Sequence, residues 1–158
     1  MGRGKRQGGA RAMPASRQRA AVLVGTTSAD DVLVERVRTA LSADLLRGKW
    51  RKLAISGHPM TGHCYVATEA LYHLLGGREG GWQPRMLSFD NDRDWGPGGE
   101  SHWWLENADG RRIDATADQF ATPVPYERGR HKAFVTNARL GANPSGRAQT
   151  LIDRVPGR

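Results

Sequence analysis

The hydrophobic positions of the chain fall into short periodic runs that are separated by glycine, proline and polar residues. Ser28, followed three positions later by Asp31, is typical of the start of a helix. Apolar residues then recur at helical spacing, which predicts a helix over residues 29–46 that ends near Gly48. Residues 53–62 contain two glycines and a proline, and therefore predict a loop.

A second helix is predicted from Cys64 to Leu75, where apolar residues again recur every three or four positions. The glycine pair at residues 76–77 ends it, because glycine readily takes the left-handed conformation found at helix ends. A last helix is predicted to begin after Ser145, which serves as its N-cap, and to end before Pro156.

Between these helices the pattern favours an antiparallel sheet. Strands are predicted at residues 82–89, 101–106 and 111–117, and a further short strand at residues 132–136. Residues 90–100, rich in acids and glycine, predict an exposed loop.

The turn around Asp109-Gly110 has two alternative forms, and they place the neighbouring side chains differently. A two-residue turn would put His102 and Asp114 on opposite faces of the hairpin, because side chains alternate along a strand. A three-residue loop with a left-handed Gly110 pairs Asn107 with Arg111, and it brings His102 and Asp114 to one face as diagonal neighbours. We predict the three-residue loop.

Composition divides the chain into two parts. Of the net charge of +8, the first 19 residues contribute +6, and the rest carries 18 basic and 16 acidic side chains. Residues 1–27 are therefore expected to be a flexible basic arm, and residues 28–158 a single α+β domain. The arm is either a solubilising tail or, together with the basic segment 128–139, a weak contact for nucleic acid.

Other bulk features exclude some classes of protein. No apolar stretch approaches the length of a membrane span, and no apolar region follows the basic N-terminus as in a signal peptide. Cys64 is the only cysteine, so an internal disulfide is impossible and a reducing, cytoplasmic compartment is expected. The spacing of Cys64 and its neighbouring histidines matches no common metal-ligand pattern, so we predict neither a metal nor a cofactor.

Three residues suggest nucleophilic catalysis. Cys64 lies at the start of a predicted helix, where free backbone N–H groups and the helix dipole favour a thiolate. His102 on one predicted strand would exchange the proton, and Asp114 on the next would orient the imidazole. The backbone N–H of Cys64, with a polar group from the preceding loop, would form an oxyanion hole. Trp103 and Trp104 are expected to line the substrate cleft and to shield this site from water.

The motifs that carry these residues resemble a known family. They are Gly62-His63-Cys64-Tyr65-Val66-Ala67-Thr68, Ser101-His102-Trp103-Trp104 and the run from Asp109-Gly110 through Asp114-Ala115-Thr116 to Phe120. Across residues 45–155 the chain resembles the YunG-like family of small bacterial and phage proteins, within the transglutaminase-like branch of papain-like cysteine enzymes. This resemblance implies a papain-like α+β fold, with a helical N-terminal lobe packed on an antiparallel sheet.

One position departs from that family, which often has glutamine before the cysteine. Here it is His63, whose imidazole is either a replacement oxyanion donor or a second base. Gln119 is an accessory oxyanion residue or an alternative partner in the triad, whereas Asp118 is expected to serve a turn or a cap. The leading hypothesis is a cysteine-dependent amidase, isopeptidase, peptidase or deamidase. The alternative is a non-catalytic papain-like binding module, such as a phage accessory protein that contacts a host factor.

Overall fold

Helix α3, Cys64–Leu74, lies at the centre of the fold, and seven of its eleven residues are buried. The structure is a computed structural model that describes residues 28–89, 100–134 and 143–157. Within these ranges the other helices are α1, Ala29–Ala40; α2, Gly48–Ser56; and α4, Gly146–Arg154. The strands are β1, Trp82–Ser88; β2, Ser101–Asn107; β3, Arg112–Ile113; and β4, Arg130–His131.

The four strands form one antiparallel sheet in the order β3-β2-β1-β4. Helix α3 packs on the central strands, and α1 and α4 pack against α3. The main core lies between these layers, and its largest fully buried aliphatic side chains are Leu71, Leu105 and Leu151. The predicted α+β class is therefore confirmed. In the part of the chain that the structure describes, no helix is long and apolar enough to cross a bilayer.

Local helix signals behave as the sequence predicts. Ser28 and Asp31 form a reciprocal capping box at the start of α1. Ser145 Oγ accepts from the backbone N–H of Ala148 at the start of α4. Ser145 also donates to the buried carboxylate of Glu69 on α3, with its N–H at 2.9 Å and its hydroxyl at 2.6 Å. The caps thus both start the helices and join α4 to α3.

Two predictions about the first helices are wrong. The helix predicted over residues 29–46 ends at Ala40, because Leu41 turns to extended backbone. Ser42 Oγ then bonds the side chain of Asp44, and such local bonds compete with helix. The predicted loop at 53–62 is partly helix α2, which Gly48 begins at φ 56° where we expected a stop.

The remaining strand predictions differ mainly in length. The strand predicted at 111–117 is only Arg112–Ile113, since the Asp114 side chain accepts from the backbone N–H of Thr116 and bends the chain. Residues 132–134 of the strand predicted at 132–136 are not in a strand, and β4 lies just before them at Arg130–His131, while residues 135–136 lie outside the described residues. The predicted arm at 1–27 and residues 90–99 of the predicted loop lie outside the described residues, and so does the last part of the basic segment 128–139.

The hairpin adopts the three-residue loop. Leu105 pairs with Ile113, and the N–H of Asn107 donates to the carbonyl of Arg111 at 3.0 Å. Gly110 takes φ 77°, the left-handed conformation that this loop requires. The register that brings His102 and Asp114 to one face is therefore confirmed.

Replacing Gly110 with alanine tests how far this turn stabilises the domain. A Cβ there would meet no atom within 4 Å, so the cost is purely that of left-handed backbone, about 1–2 kcal/mol of unfolding free energy. Gly146→Ala is the matched control, because it is equally open but has no positive φ, and its stability should be unchanged or slightly higher. Chemical denaturation of both variants measures the difference, and equal losses would contradict the argument.

Candidate active site

His102 and Asp114 form a buried ion pair. Nε2 of His102 lies 2.6 Å from Oδ2 of Asp114, and the two side chains are 0% and 5% exposed. The same Oδ2 accepts the hydroxyl of Tyr126 at 3.0 Å, while Oδ1 accepts the backbone N–H of Thr116 at 3.0 Å. Three donors from three segments therefore fix the carboxylate, which in turn fixes the imidazole.

Cys64 is the first residue of α3 and is 9% exposed. Its thiol donates to the carbonyl oxygen of Ser101 at 3.5 Å. Ser101 is the residue directly before His102 in the chain. At this place the sulfur lies near the positive end of the α3 helix dipole. The structure thus brings Cys64, His102 and Asp114 together as the sequence predicts.

The protonation of His102 depends on both of its partners. Burial lowers the pKa of His102, but the hydrogen bond with Asp114, the hydrogen bond with Cys64 and the charges of both groups outweigh burial. Together they raise the pKa from 6.5 to about 9. The imidazole is therefore held as the cation at neutral pH, which is the form that stabilises a neighbouring thiolate.

Aromatic rings enclose the imidazole. Phe120 contacts His102 edge-on with ring centroids 4.7 Å apart, and Trp104 stacks beside it at 6.0 Å. The ring of Trp104 in turn meets Tyr126 at 5.2 Å. Because these rings exclude water, the interaction between His102 and Asp114 is stronger than it would be at the surface.

Trp103 and Trp104 do not line a cleft, contrary to our expectation. Trp103 is 5% exposed and packs against Tyr65 and Phe134, and Trp104 is fully buried. Both belong to the core, on opposite faces of β2, because successive side chains of a strand alternate. Only the shielding role predicted for this pair matches the position of Trp104.

His63 is fully buried at the N-cap of α3, and its Nε2 lies 3.0 Å from the carbonyl oxygen of Ser42. A carbonyl oxygen only accepts, so Nε2 carries the proton and Nδ1 of a neutral ring is left as an acceptor. Nδ1 has no partner among the described residues. With Nε2 held by Ser42, that nitrogen is not available to an oxyanion, and His63 anchors the loop before Cys64 to the segment just after α1.

Gln119 ties the same loop to the other half of the site. Its Oε1 accepts from the N–H of Gly62 at 3.4 Å, and its Nε2 donates to the carbonyl oxygen of Thr116 at 2.9 Å. One of the two amide hydrogens remains after that bond. Gln119 is therefore the side chain that best matches the accessory oxyanion role. Asp118, by contrast, is held by Arg38 at 2.6 Å, outside the triad.

A pocket of about 370 Å³ opens beside these residues. Its lining includes Ser101, which directly precedes His102 in the chain, and it is mainly apolar at α2, at Phe89 and at Phe120. The lining residues are Trp50, Leu53, Thr61, Gly62, Phe89, Glu100, Ser101, Gln119 and Phe120. Its size suits one large side chain or a small ligand. A larger groove of about 670 Å³ lies along α1 and the end of α4, and neither cavity has Cys64, His102 or Asp114 in its lining.

Sequence reasoning missed two contributors to the site. Tyr126 follows a proline in an irregular segment, where no periodic pattern marks it, and only its contact with Asp114 shows its role. Phe120 ends the Asp114 motif but has no chemical group that would single it out. Among the described residues no three His, Cys, Asp or Glu side chains are grouped as metal ligands.

Comparisons with known proteins give no match: no family model, no curated protein and no solved structure is similar to this chain.

Tyr126→Phe tests the hydrogen bond to Asp114. Burial and the negative charge of Asp114 raise the pKa of Tyr126, so its phenol stays protonated and donates. Losing this bond to a buried carboxylate should lower the unfolding free energy by about 1.5–3 kcal/mol. In an Asp114→Ala background the same substitution should cost much less, because the acceptor is already gone. A double-mutant cycle by urea denaturation measures the coupling, and additive losses would refute it.

The raised pKa of His102 makes stability depend on pH. Because its folded pKa lies above the unfolded value of 6.5, the pair stabilises the fold fully below pH 6.5 and less and less as the pH rises through about 9. The difference in unfolding free energy between the native protein and Asp114→Asn should therefore shrink from pH 6 to pH 9.5. His131→Ala removes an exposed histidine and serves as the control, which should show no such trend. A constant difference for Asp114→Asn would contradict the assignment.

Proposed function

We propose that this chain is a cysteine-dependent acyl-transfer enzyme with Cys64 as nucleophile, His102 as acid and base, and Asp114 as the group that orients His102. The observation that carries the proposal is the buried contact between His102 and Asp114 beside a cysteine at the start of a helix. This combination supplies a charged nucleophile, a proton donor and a fixed imidazole in one place.

The reaction begins when the thiolate sulfur of Cys64 attacks the carbonyl carbon of an amide or ester. The carbonyl π electrons move to oxygen, and the N–H of Cys64 together with the amide of Gln119 is suited to stabilise that oxyanion. The imidazolium of His102 then gives its proton to the leaving amine or alcohol, whose bond to carbon breaks. A thioester on Cys64 remains.

Water or an amine completes the turnover. His102, now neutral, takes a proton from the incoming nucleophile as it attacks the thioester carbon. The carbon–sulfur bond breaks, Cys64 leaves as the thiolate and His102 is again the cation. Asp114 keeps Nε2 of the imidazole bonded throughout, so the ring does not rotate away from the sulfur, and Tyr126 positions Asp114.

We propose further that the chain has the papain-like arrangement and is a member of the YunG-like family. The support for this is the order of the three residues along the chain, with the cysteine on a helix and the histidine and aspartate on consecutive strands of a hairpin or directly after them. The sheet packed against the helix that carries the cysteine is compatible with that arrangement.

Alkylation of Cys64 by iodoacetamide at pH 7 tests the activated thiol. In the native protein the rate should exceed that of the urea-unfolded chain, because only the folded protein holds the thiolate beside an imidazolium. His102→Ala should slow alkylation of the native protein by about 10- to 100-fold. This is at the lower end of the rate effects that acid–base groups usually have, or below it. His131→Ala is the matched control and should leave the rate unchanged.

Intact-mass analysis after each time point gives the rates, and circular dichroism shows whether the variants are folded. If native and unfolded chains react equally, or if His102→Ala matches the native rate, the thiol is not activated and the proposal fails. A Cys64→Ala protein that keeps its biological effect would then favour the non-catalytic binding module.

A further inference from the structure

Helix α2 has an unusual surface for an element of a small domain. Ala54 is its only buried side chain, while Leu53 and Ile55 are 45% and 69% exposed. They are two of the three large apolar side chains that are exposed in the described part of the chain. The helix is therefore held to the domain on a narrow face and presents most of its surface outward.

The same helix is strongly basic. Arg47, Lys49, Arg51 and Lys52 lie within six residues, and no acid occurs between positions 47 and 56. Lys49 pairs with Glu100 at 2.9 Å. The other three cations are exposed and have no ion pair with any described residue. Among the described residues they form a positive patch without acidic partners, which favours an acidic ligand.

Helix α2 carries both this positive patch and one wall of the pocket beside the candidate active site. Trp50 and Leu53 of α2 form one wall of the pocket, and Phe89 and Phe120 lie among its other lining residues. Glu100 is the only acid among the described residues of the lining, and it pairs with Lys49, so these lining residues present no unpaired negative charge. A chain bound in this pocket lies against α2, whose exposed residues carry the positive charge.

We propose that the substrate is an acidic polypeptide whose apolar side chain enters this pocket while its flanking Asp or Glu residues contact Arg51 and Lys52. This inference depends on the proposed function, because it takes the pocket as the route to Cys64. A polypeptide fits both features, since it combines an amide carbonyl for the thiolate with side chains of both kinds. Nucleic acid would satisfy only the charge.

A lipid surface fits α2 less well. Successive helical residues are rotated by about 100°, so Leu53 and Ile55 point about 200° apart and do not share one face. Leu53 also lines the pocket. An interfacial helix needs one continuous apolar face to enter a bilayer.

The test uses the full chain carrying Cys64→Ala, so that peptides bind without turnover. Three fluorescent peptides share one central leucine and differ only in its neighbours, which are glutamate, glutamine or lysine. Fluorescence anisotropy should show the glutamate peptide binding at least about tenfold more tightly than the glutamine peptide. Its affinity should fall with added salt, and the lysine peptide should bind weakest.

The double substitution Arg51→Glu with Lys52→Glu should weaken binding of the glutamate peptide by at least about tenfold. Arg130→Glu with Lys132→Glu is the matched control, with the same change of charge on exposed residues outside the pocket lining, and should change binding less than about twofold. Both pairs are exposed, so folding should be retained, which circular dichroism checks. Equal binding of the glutamate and glutamine peptides, or no effect of the α2 pair, would overturn the proposal.

Two further measurements separate the possible failures. If the protein binds phosphatidylserine vesicles but not the peptides, and the α2 double variant loses vesicle binding, the ligand of α2 is a lipid surface and not a polypeptide. In the chain that retains Cys64, the iodoacetamide rates of the native protein and of His102→Ala report the state of the thiol independently of peptide binding. If the thiol is not activated but the protein still binds the glutamate peptide, the enzymatic proposal is refuted and α2 is a docking surface only.

Discussion

A carboxylate in the interior of a protein needs donors for its oxygens, and this requirement governs the arrangement around Asp114. The three donors are the imidazole of His102, the phenol of Tyr126 and the N–H of Thr116. They come from β2 and from two places in the segment that follows β3. That segment must therefore fold back over the sheet, where it covers Trp104. Removing one partner would leave a buried charge or dipole, which is far more costly than losing a surface ion pair.

The pair at the centre of this network exists only in one register of the hairpin. A slip by one residue would turn His102 to the opposite face from Asp114, because side chains alternate along a strand. The three-residue loop with a left-handed Gly110 prevents the slip. The left-handed preference of Gly110 thus determines whether His102 and Asp114 come into contact. Their contact in turn stabilises the hairpin that this turn closes.

What the sequence could predict follows from the range of the interactions. Helix caps such as Ser28 and Ser145 and the turn at Gly110 depend on neighbours within a few residues, and these predictions are confirmed. Helix α2 was missed because Gly48 was interpreted as a stop, whereas left-handed glycine here begins a helix. Neither propensity nor spacing distinguishes these two uses of a glycine.

The parts of the site that could not be predicted depend on contacts between distant segments. Tyr126 reaches Asp114 from twelve residues away in an irregular stretch without a periodic pattern. Trp103 and Trp104 could be assigned to alternate faces of a strand, but whether those faces meet a cleft or the core depends on what packs on them. Here both faces are covered, by α3 on one side and by the segment after β3 on the other.

The position of the nucleophile depends on its neighbours more than on its own side chain. The Cys64 thiol contacts the carbonyl oxygen of Ser101 at 3.5 Å, and the preceding His63 is anchored to the carbonyl oxygen of Ser42 at 3.0 Å. Gly62 has φ 80°, and a Cβ there would lie 3.0 Å from the ring of Trp50, so this position requires glycine for both its backbone and its packing. The ring on α2 that walls the pocket therefore also sets the path of the chain into Cys64. A ligand that shifts Trp50 would move the sulfur as well, because one residue serves both contacts.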